Sequence, residues 1–111
     1  MINLFFNRIS IIIQGVASDF VDPVHVEFLK KVALAYCDIP AVDTKCAYAC
    51  SDHASWTKAG YSSVFTFETL FEEHSSYIHT SNDDLTNVSF DHMAQFVKLV
   101  LGWVVELSAH Q

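Results

Sequence analysis

Positive charge is scarce in this chain. Six Lys and Arg residues stand against thirteen Asp and Glu in 111 residues, a formal net charge of −7. A phosphate backbone is held by clustered cations, so this balance argues against a nucleic-acid partner. Long apolar runs are also missing. No stretch reaches the roughly 18 apolar residues of a membrane-spanning helix, which argues against a membrane role. With only three glycines, the chain has no Gly-x-Ser-x-Gly elbow and no phosphate-cradling Gly-rich loop. No internal repeat, linker or low-complexity segment is visible.

What remains is apolar. Hydrophobic residues make up 51% and charged residues 17%, a high ratio for a chain with so much surface to cover. A piece of a larger core has this composition, and so does one unusually greasy domain.

The pattern along the chain is that of an α/β protein. Ile9 to Val16 is β-branched and continuous, as expected of a strand covered on both faces. Its surroundings, Met1 to Gly15 and then Val16-Ala17-Ser18, also carry a faint likeness to a signal peptide and its cleavage site. Asp22 can cap a helix and Pro23 suits its first turn. The spacing then predicts a helix over Pro23 to Cys37, with Val24, Phe28, Val32, Ala35 and Tyr36 on one stripe. Asp38-Ile39-Pro40 ends it. Ala41 to Cys50 reads as a connection. Ser51 and Asp52 start one or two helical turns through Lys58, closed by Gly60. Ser63 to Phe67 reads as a short strand, and Glu68 to Asn87 as a long polar loop of the kind that is usually functional or disordered. A last helix begins at Ser89 with two apolar faces. One holds Phe90, Ala94, Val97, Val100, Leu101 and Val104; the other holds Phe96, Leu99, Trp103 and Leu107. Such a helix expects neighbours on both sides.

Three cysteines, Cys37, Cys46 and Cys50, leave one thiol unpaired or paired outside the chain. The four-residue spacing of Cys46 and Cys50 admits a local disulfide, half of a metal site, or two unrelated thiols. A zinc site would need more ligands, and His53 and His79 are the candidates. Of the six histidines, His53, His74 and His79 fall in or near loops, where functional residues concentrate. Ser51, Asp52 and His53 are adjacent, so they cannot form a catalytic triad, which joins distant segments.

Three linked stretches go further. Cys46-Ala-Tyr-Ala-Cys-Ser-Asp-His-Ala-Ser-Trp56, Phe67-Glu-Thr-Leu-Phe71 and Tyr77-Ile-His-Thr-Ser-Asn-Asp83 resemble, in order and spacing, the di-zinc leucyl aminopeptidases of peptidase clan MH. The pattern of the secreted fungal branch fits best. Ser89-Phe-Asp-His-Met93 and the helix after it are similar to that family's last helix. The likeness covers residues 16–111 as the C-terminal portion of a catalytic domain, and leaves residues 1–15 as an unmatched segment.

The resemblance implies the C-terminal portion of a three-layer α/β/α zinc-exopeptidase fold with an incomplete mixed sheet. It implies a Cys46–Cys50 disulfide and a secreted, extracellular location. His79 corresponds to a zinc ligand. Phe67, Phe71 and Ile78 correspond to the pocket for the substrate's N-terminal apolar side chain. Tyr48 corresponds to a tyrosine that hydrogen-bonds the substrate carbonyl or the tetrahedral intermediate. The complete family site holds two zinc ions that activate a water, with a glutamate as general base. The implied substrate is a peptide with a free N-terminus. Of the family's metal-binding set, two histidines, two aspartates and a glutamate, only His79 falls in the matched region. No catalytic residue is expected within this chain, and Asp19 corresponds to a position past the last upstream ligand. The missing N-terminal part of the domain is an expected partner, and a catalytically inactive remnant or a truncated gene model is the alternative. Two departures stand out: Ala47 replaces a usual glycine, and Ser62 a usual proline.

Overall fold

A computed structural model describes residues 12–109 of the chain. Strand β1, Gln14–Ala17, lies at the centre of a three-stranded sheet. Strand β2, Ala41–Thr44, runs parallel to it, with Gln14 opposite Ala41 and Ala17 opposite Thr44. Strand β3, Thr66–Phe67, pairs antiparallel on the other side, with Gly15 opposite Phe67. The sheet is therefore mixed, in the order β2-β1-β3. All four residues of β1 are buried, as a central strand covered on both faces requires. Val16 and Ala17, where a cleavage site was a possibility in the sequence, are fully inside that strand. The part of the expected Ile9–Val16 strand up to Ile11 lies outside the described residues.

Helix α1, Pro23–Tyr36, makes the crossover between the parallel strands. It starts where the sequence places it. The Asp22 carboxylate accepts the Val24 and His25 amides, 2.9 and 3.4 Å away, and Pro23 occupies the first turn. Ser62 donates to the same carboxylate at 2.6 Å. Chiefly through that hydrogen bond, the Asp22 pKa falls to about 2. The buried face of α1 differs from the expected stripe. It holds Val26, Leu29, Val32 and Ala33, whereas Val24 and Ala35 are exposed. The helix is apolar on overlapping stripes, and contact with the sheet and the last helix selects one of them.

That last helix, α3, Phe90–Ala109, crosses α1 at Gly102. A Cβ on Gly102 would come within 2.6 Å of the Tyr36 ring and 3.0 Å of a Val32 methyl. The missing side chain thus permits the close approach. Leu99 is buried beside it in the core with Val16, Val26, Leu29, Val32 and Ala33, and Trp103 packs on its edge against Phe28, ring centroids 5.5 Å apart. The other expected face is bare: Phe90, Val97, Val100, Leu101 and Val104 are each more than half exposed.

Helix α2, Asp52–Lys58, follows a Ser51 cap whose side chain makes no capping bond, and the chain leaves it through Gly60 at φ +90°. The expected connection over residues 41–50 begins instead with β2. An edge strand with one buried residue, Thr44, carries no alternation strong enough to announce itself. The expected strand over 63–67 pairs only at its last two residues, although Phe65 still accepts the Ala17 amide at 2.9 Å. The long loop holds two short 3₁₀ turns, Phe71–Glu73 and Leu85–Asn87. Among the described residues, no helix is long and apolar enough to cross a membrane.

Candidate functional site

Two loops meet beyond the carboxyl ends of the parallel strands, the usual place for a site in a sheet of this kind, and a third follows them in the chain. The ends are tied together: the Ser18 amide donates to the Thr44 carbonyl at 2.9 Å.

The first loop follows β2. Cys46 and Cys50 are joined sulfur to sulfur, with Cα atoms 6.1 Å apart. Bonded to each other, they are not available as metal ligands, which removes the Cys/His module that their spacing allowed. Between them Ala47 adopts φ +66°, a left-handed conformation that favours glycine. The Asp19 carboxylate grips this turn, one oxygen accepting the Cys46 amide at 3.3 Å and the other the Ala47 amide at 2.8 Å. Tyr48 projects from the turn and is more than half exposed.

The second loop follows β3 and folds back over β1. It can do so because residue 15 is glycine: a Cβ there would collide with the Thr69 carbonyl oxygen and lie 3.2 Å from a Thr44 methyl. Thr44 then holds the returning chain, its hydroxyl accepting the Phe71 amide at 2.7 Å. This brings Phe71 beside Tyr48.

The result is a connected wall of rings. Tyr48 meets Phe71 edge-on at 5.9 Å, and Phe71 meets Phe67 at 5.3 Å. Phe67 meets Phe65 at 5.9 Å, and Phe65 stacks on His53 at 4.5 Å with the planes 3° apart. His74 stacks on Phe71 at 5.4 Å and also meets Phe67 at 6.0 Å, with its Nδ1 2.8 Å from the Phe71 carbonyl oxygen. Ring pairs of this kind contribute roughly 0.5–1.5 kcal/mol each beyond their buried area. The wall can take an apolar side chain: burying a leucine-sized group contributes about 1.5–3 kcal/mol.

Of the residues singled out in the sequence, Tyr48, Phe67 and Phe71 are thus brought together. Ile78 is half-buried and His79 exposed, in the third loop. There the Tyr77 carbonyl accepts the Thr80 amide at 3.0 Å and the Thr80 hydroxyl at 2.5 Å, and His79 adopts φ +62° inside that turn. His79 takes no part in the ring contacts given for the wall. Asp84, just beyond, accepts the Thr86 amide and hydroxyl at 2.9 and 2.6 Å and so caps a 3₁₀ turn. Sequence reasoning missed Phe65, and noted His74 as a loop histidine without a place in the pocket. The alternation of Phe65 and Phe67 on one strand face, and the three-residue step from Phe71 to His74, are the signals that could have found them.

His53 is buried, and neither ring nitrogen has a hydrogen-bond partner. Burial pushes its pKa below the usual histidine value, against a smaller opposing pull from the Asp19 and Asp52 charges. That shift favours the neutral ring, which stacks on Phe65 as an aromatic plate.

Zinc is the metal that the sequence resemblance implies, and a catalytic zinc takes about three protein ligands. Among the described residues no group of three or more His, Cys, Asp or Glu side chains could hold a metal ion. The residues present do not make a zinc site by themselves.

Comparison with known proteins gives the family and the fold. The model of peptidase family M28 matches residues 5–104, and the chain belongs to that family. It is 55% identical over 94 residues to a leucine aminopeptidase 1 of Grosmannia clavigera, covering 85% of this chain and 23% of that protein. A leucine aminopeptidase 1 of Neurospora crassa is 51% identical over the same shares. The crystal structure of the Legionella pneumophila LapA aminopeptidase superposes with a TM-score of 0.84 at 35% identity, over 88% of this chain and 26% of that one. The chain therefore spans about a quarter of the length of these relatives.

Proposed function

We propose that this chain forms the apolar-side-chain pocket of a peptidase that removes apolar residues from the N-terminus of peptides. The observation that carries this reading is the wall of Tyr48, Phe71 and Phe67 at the carboxyl ends of the parallel strands, in an M28 chain similar to leucine aminopeptidases. Phe67, Phe71 and Ile78 would receive the side chain of the first residue, and Tyr48 would hydrogen-bond its carbonyl. His79 would supply one imidazole to a zinc centre whose other ligands and general base lie outside this chain. Zinc would provide Lewis-acid chemistry there. The partner of the chain is then the remainder of such a domain, and the bare apolar face of α3 is consistent with that. A persistent Cys46–Cys50 disulfide fits an oxidising, extracellular location.

One observation favours inactivity of the chain alone: no ligand group for a metal exists among the described residues. The test is hydrolysis of a leucine anilide by the 111-residue chain, by itself and after refolding with the metal-binding remainder of a fungal leucine aminopeptidase. The expected outcome is no turnover alone and turnover after refolding, abolished by a chelator and by His79→Ala. Turnover by the isolated chain, or reconstituted activity indifferent to His79→Ala, would refute the assignment. A thiol count without reductant should find one free thiol, Cys37; three would remove the disulfide and its argument for secretion.

A further inference from the structure

We propose that Asp19 is a positioning residue for Tyr48: its carboxylate holds the cysteine turn in the one backbone conformation that aims Tyr48 at Phe71. The proposal rests on the substrate-pocket reading for its functional meaning, but not for its test.

Asp19 is the second residue past β1. Each carboxylate oxygen takes one of two successive amides, Cys46 at 3.3 Å and Ala47 at 2.8 Å. Consecutive N–H groups that converge on one anion form a concave nest, whose residues alternate between right- and left-handed conformations. Ala47, at φ +66°, is the left-handed member. Alanine resists that conformation because its Cβ crowds the backbone carbonyl, so something must hold it there. The carboxylate is placed to do so. It is itself braced, since Phe20, the next residue, is also left-handed at φ +55°. The Phe20 carbonyl accepts the Thr57 hydroxyl at 2.8 Å. That hydroxyl is 2.6 Å from Ser63 Oγ, which donates to the His53 carbonyl at 2.8 Å. Two strained residues thus face each other across one carboxylate, each tied by hydrogen bonds. Strain of this kind persists only where the surroundings over-determine the backbone.

Tyr48 comes directly after Ala47. It is 59% exposed, and among the described residues its one ring contact is the edge-on pair with Phe71 at 5.9 Å. So little packing cannot orient a large ring; the backbone at Ala47 must. An amide in place of the carboxylate offers a single acceptor oxygen, leaves one turn amide without a partner and removes the charge that strengthens both bonds.

The test uses the full chain with 3-fluorotyrosine at Tyr36, Tyr48, Tyr61 and Tyr77, the Tyr48 line being assigned by Tyr48→Phe. In Asp19→Asn, fluorine NMR should show the Tyr48 line displaced and broadened, with Tyr36 and Tyr61 unmoved. Adding Ala47→Gly should bring it back toward its original position, because glycine adopts the left-handed conformation without the grip. A Tyr48 line unmoved in Asp19→Asn overturns the proposal. So does a line displaced equally with and without Ala47→Gly, since a purely structural role for Asp19 would give that result. If Asp19→Asn moves all four lines to their unfolded positions, the double variant decides. Refolding with Tyr48 near its original line supports the proposal, and failure to refold overturns it. These lines report Tyr48 whether or not the chain takes part in hydrolysis. The failure of the pocket reading is therefore seen separately, in the anilide assay.

Discussion

Replacing Gly15 by alanine sets two effects against each other, and the structure decides the sign. Within a strand, glycine normally costs about 0.5–1 kcal/mol relative to alanine, because it loses more backbone freedom on folding. On that ground alone Gly15→Ala should stabilise the chain. Yet the new Cβ would overlap the Thr69 carbonyl oxygen, lie 3.1 Å from its carbon and 3.2 Å from a Thr44 methyl. Ordinary carbon contacts lie at roughly 3.5–4.0 Å, and the obstructing group is backbone that cannot rotate away. Forcing a methyl into such a space costs about 1–3 kcal/mol. The net expectation is a loss of about 1–2 kcal/mol, which for a domain of this size lowers Tm by roughly 5–15 °C. In urea the midpoint should fall by about 1 M at an m-value near 1–2 kcal/mol per M. The returning segment also carries Phe71, so the near-ultraviolet circular dichroism of the Tyr48–Phe71–Phe67 wall should weaken in the folded variant. An alanine variant as stable as the parent, with that signal intact, would mean that the second loop does not lie across β1.

Two more expectations follow from burial. His53 has a folded pKa below its unfolded value because burial disfavours its charged form. The unfolded chain therefore binds more protons, and stability rises with pH through that window. The stability linked to a neutral His53 is complete above about pH 6.5, the unfolded value, and is lost as pH falls from there toward the lowered folded value. His53→Phe, which keeps the stack on Phe65, should flatten this part of the profile between pH 7.5 and 5.5 in urea melts; an unchanged slope would count against a buried neutral ring. On α3, Leu99→Ala should cost about 2–5 kcal/mol, as a large-to-small change in a core does. Leu101→Ala, two residues on but 62% exposed, should stay within about 0.5 kcal/mol in the same melts. Equal losses would show that the outer face of α3 is covered in solution.

The scaffold was legible where local chemistry and burial agree. Asp22 and Pro23 announce the start of α1. The β-branched run announces a buried strand here but not its bounds: Ile12 and Ile13 stand before β1, which holds one β-branched residue, Val16. The run from Phe90 to Leu107 can only be a helix. The α/β class followed from these, and the incomplete mixed sheet from the family resemblance. What could not be read was the choice among equivalent apolar faces. Val24 and Val26 are alike as residues, and only packing against the sheet and α3 decides which is buried. Strand β2 was illegible because an edge strand exposed along most of its length keeps no alternating pattern. In the candidate site, Tyr48, Phe67 and Phe71 were named from linked motifs, but their meeting depends on Gly15, a residue with no side chain to notice. His74 passed for one more loop histidine because its stack on Phe71 is made by a 3₁₀ turn that the sequence does not signal.

Backbone strain gives an independent view of the same region. Among the described residues, the non-glycine residues at positive φ are Phe20, Ala47 and His79. Neither Phe20 nor Ala47 has a side chain that favours the left-handed region, as Asn, Asp or His does, so no propensity argument would place those two there. Each nevertheless lies in a loop of the candidate site or beside it: Phe20 next to the gripping carboxylate, Ala47 next to Tyr48, and His79 in the turn that presents its own ring. Strain is retained where the fold gains a fixed direction for a side chain, and it is costly everywhere else. Glycine at position 47 would relieve it, yet the chain holds alanine there, with Asp19 accepting the Cys46 and Ala47 amides. The physical logic of the site is therefore a stiff turn held by one carboxylate, with the orientation of Tyr48 as what that stiffness secures.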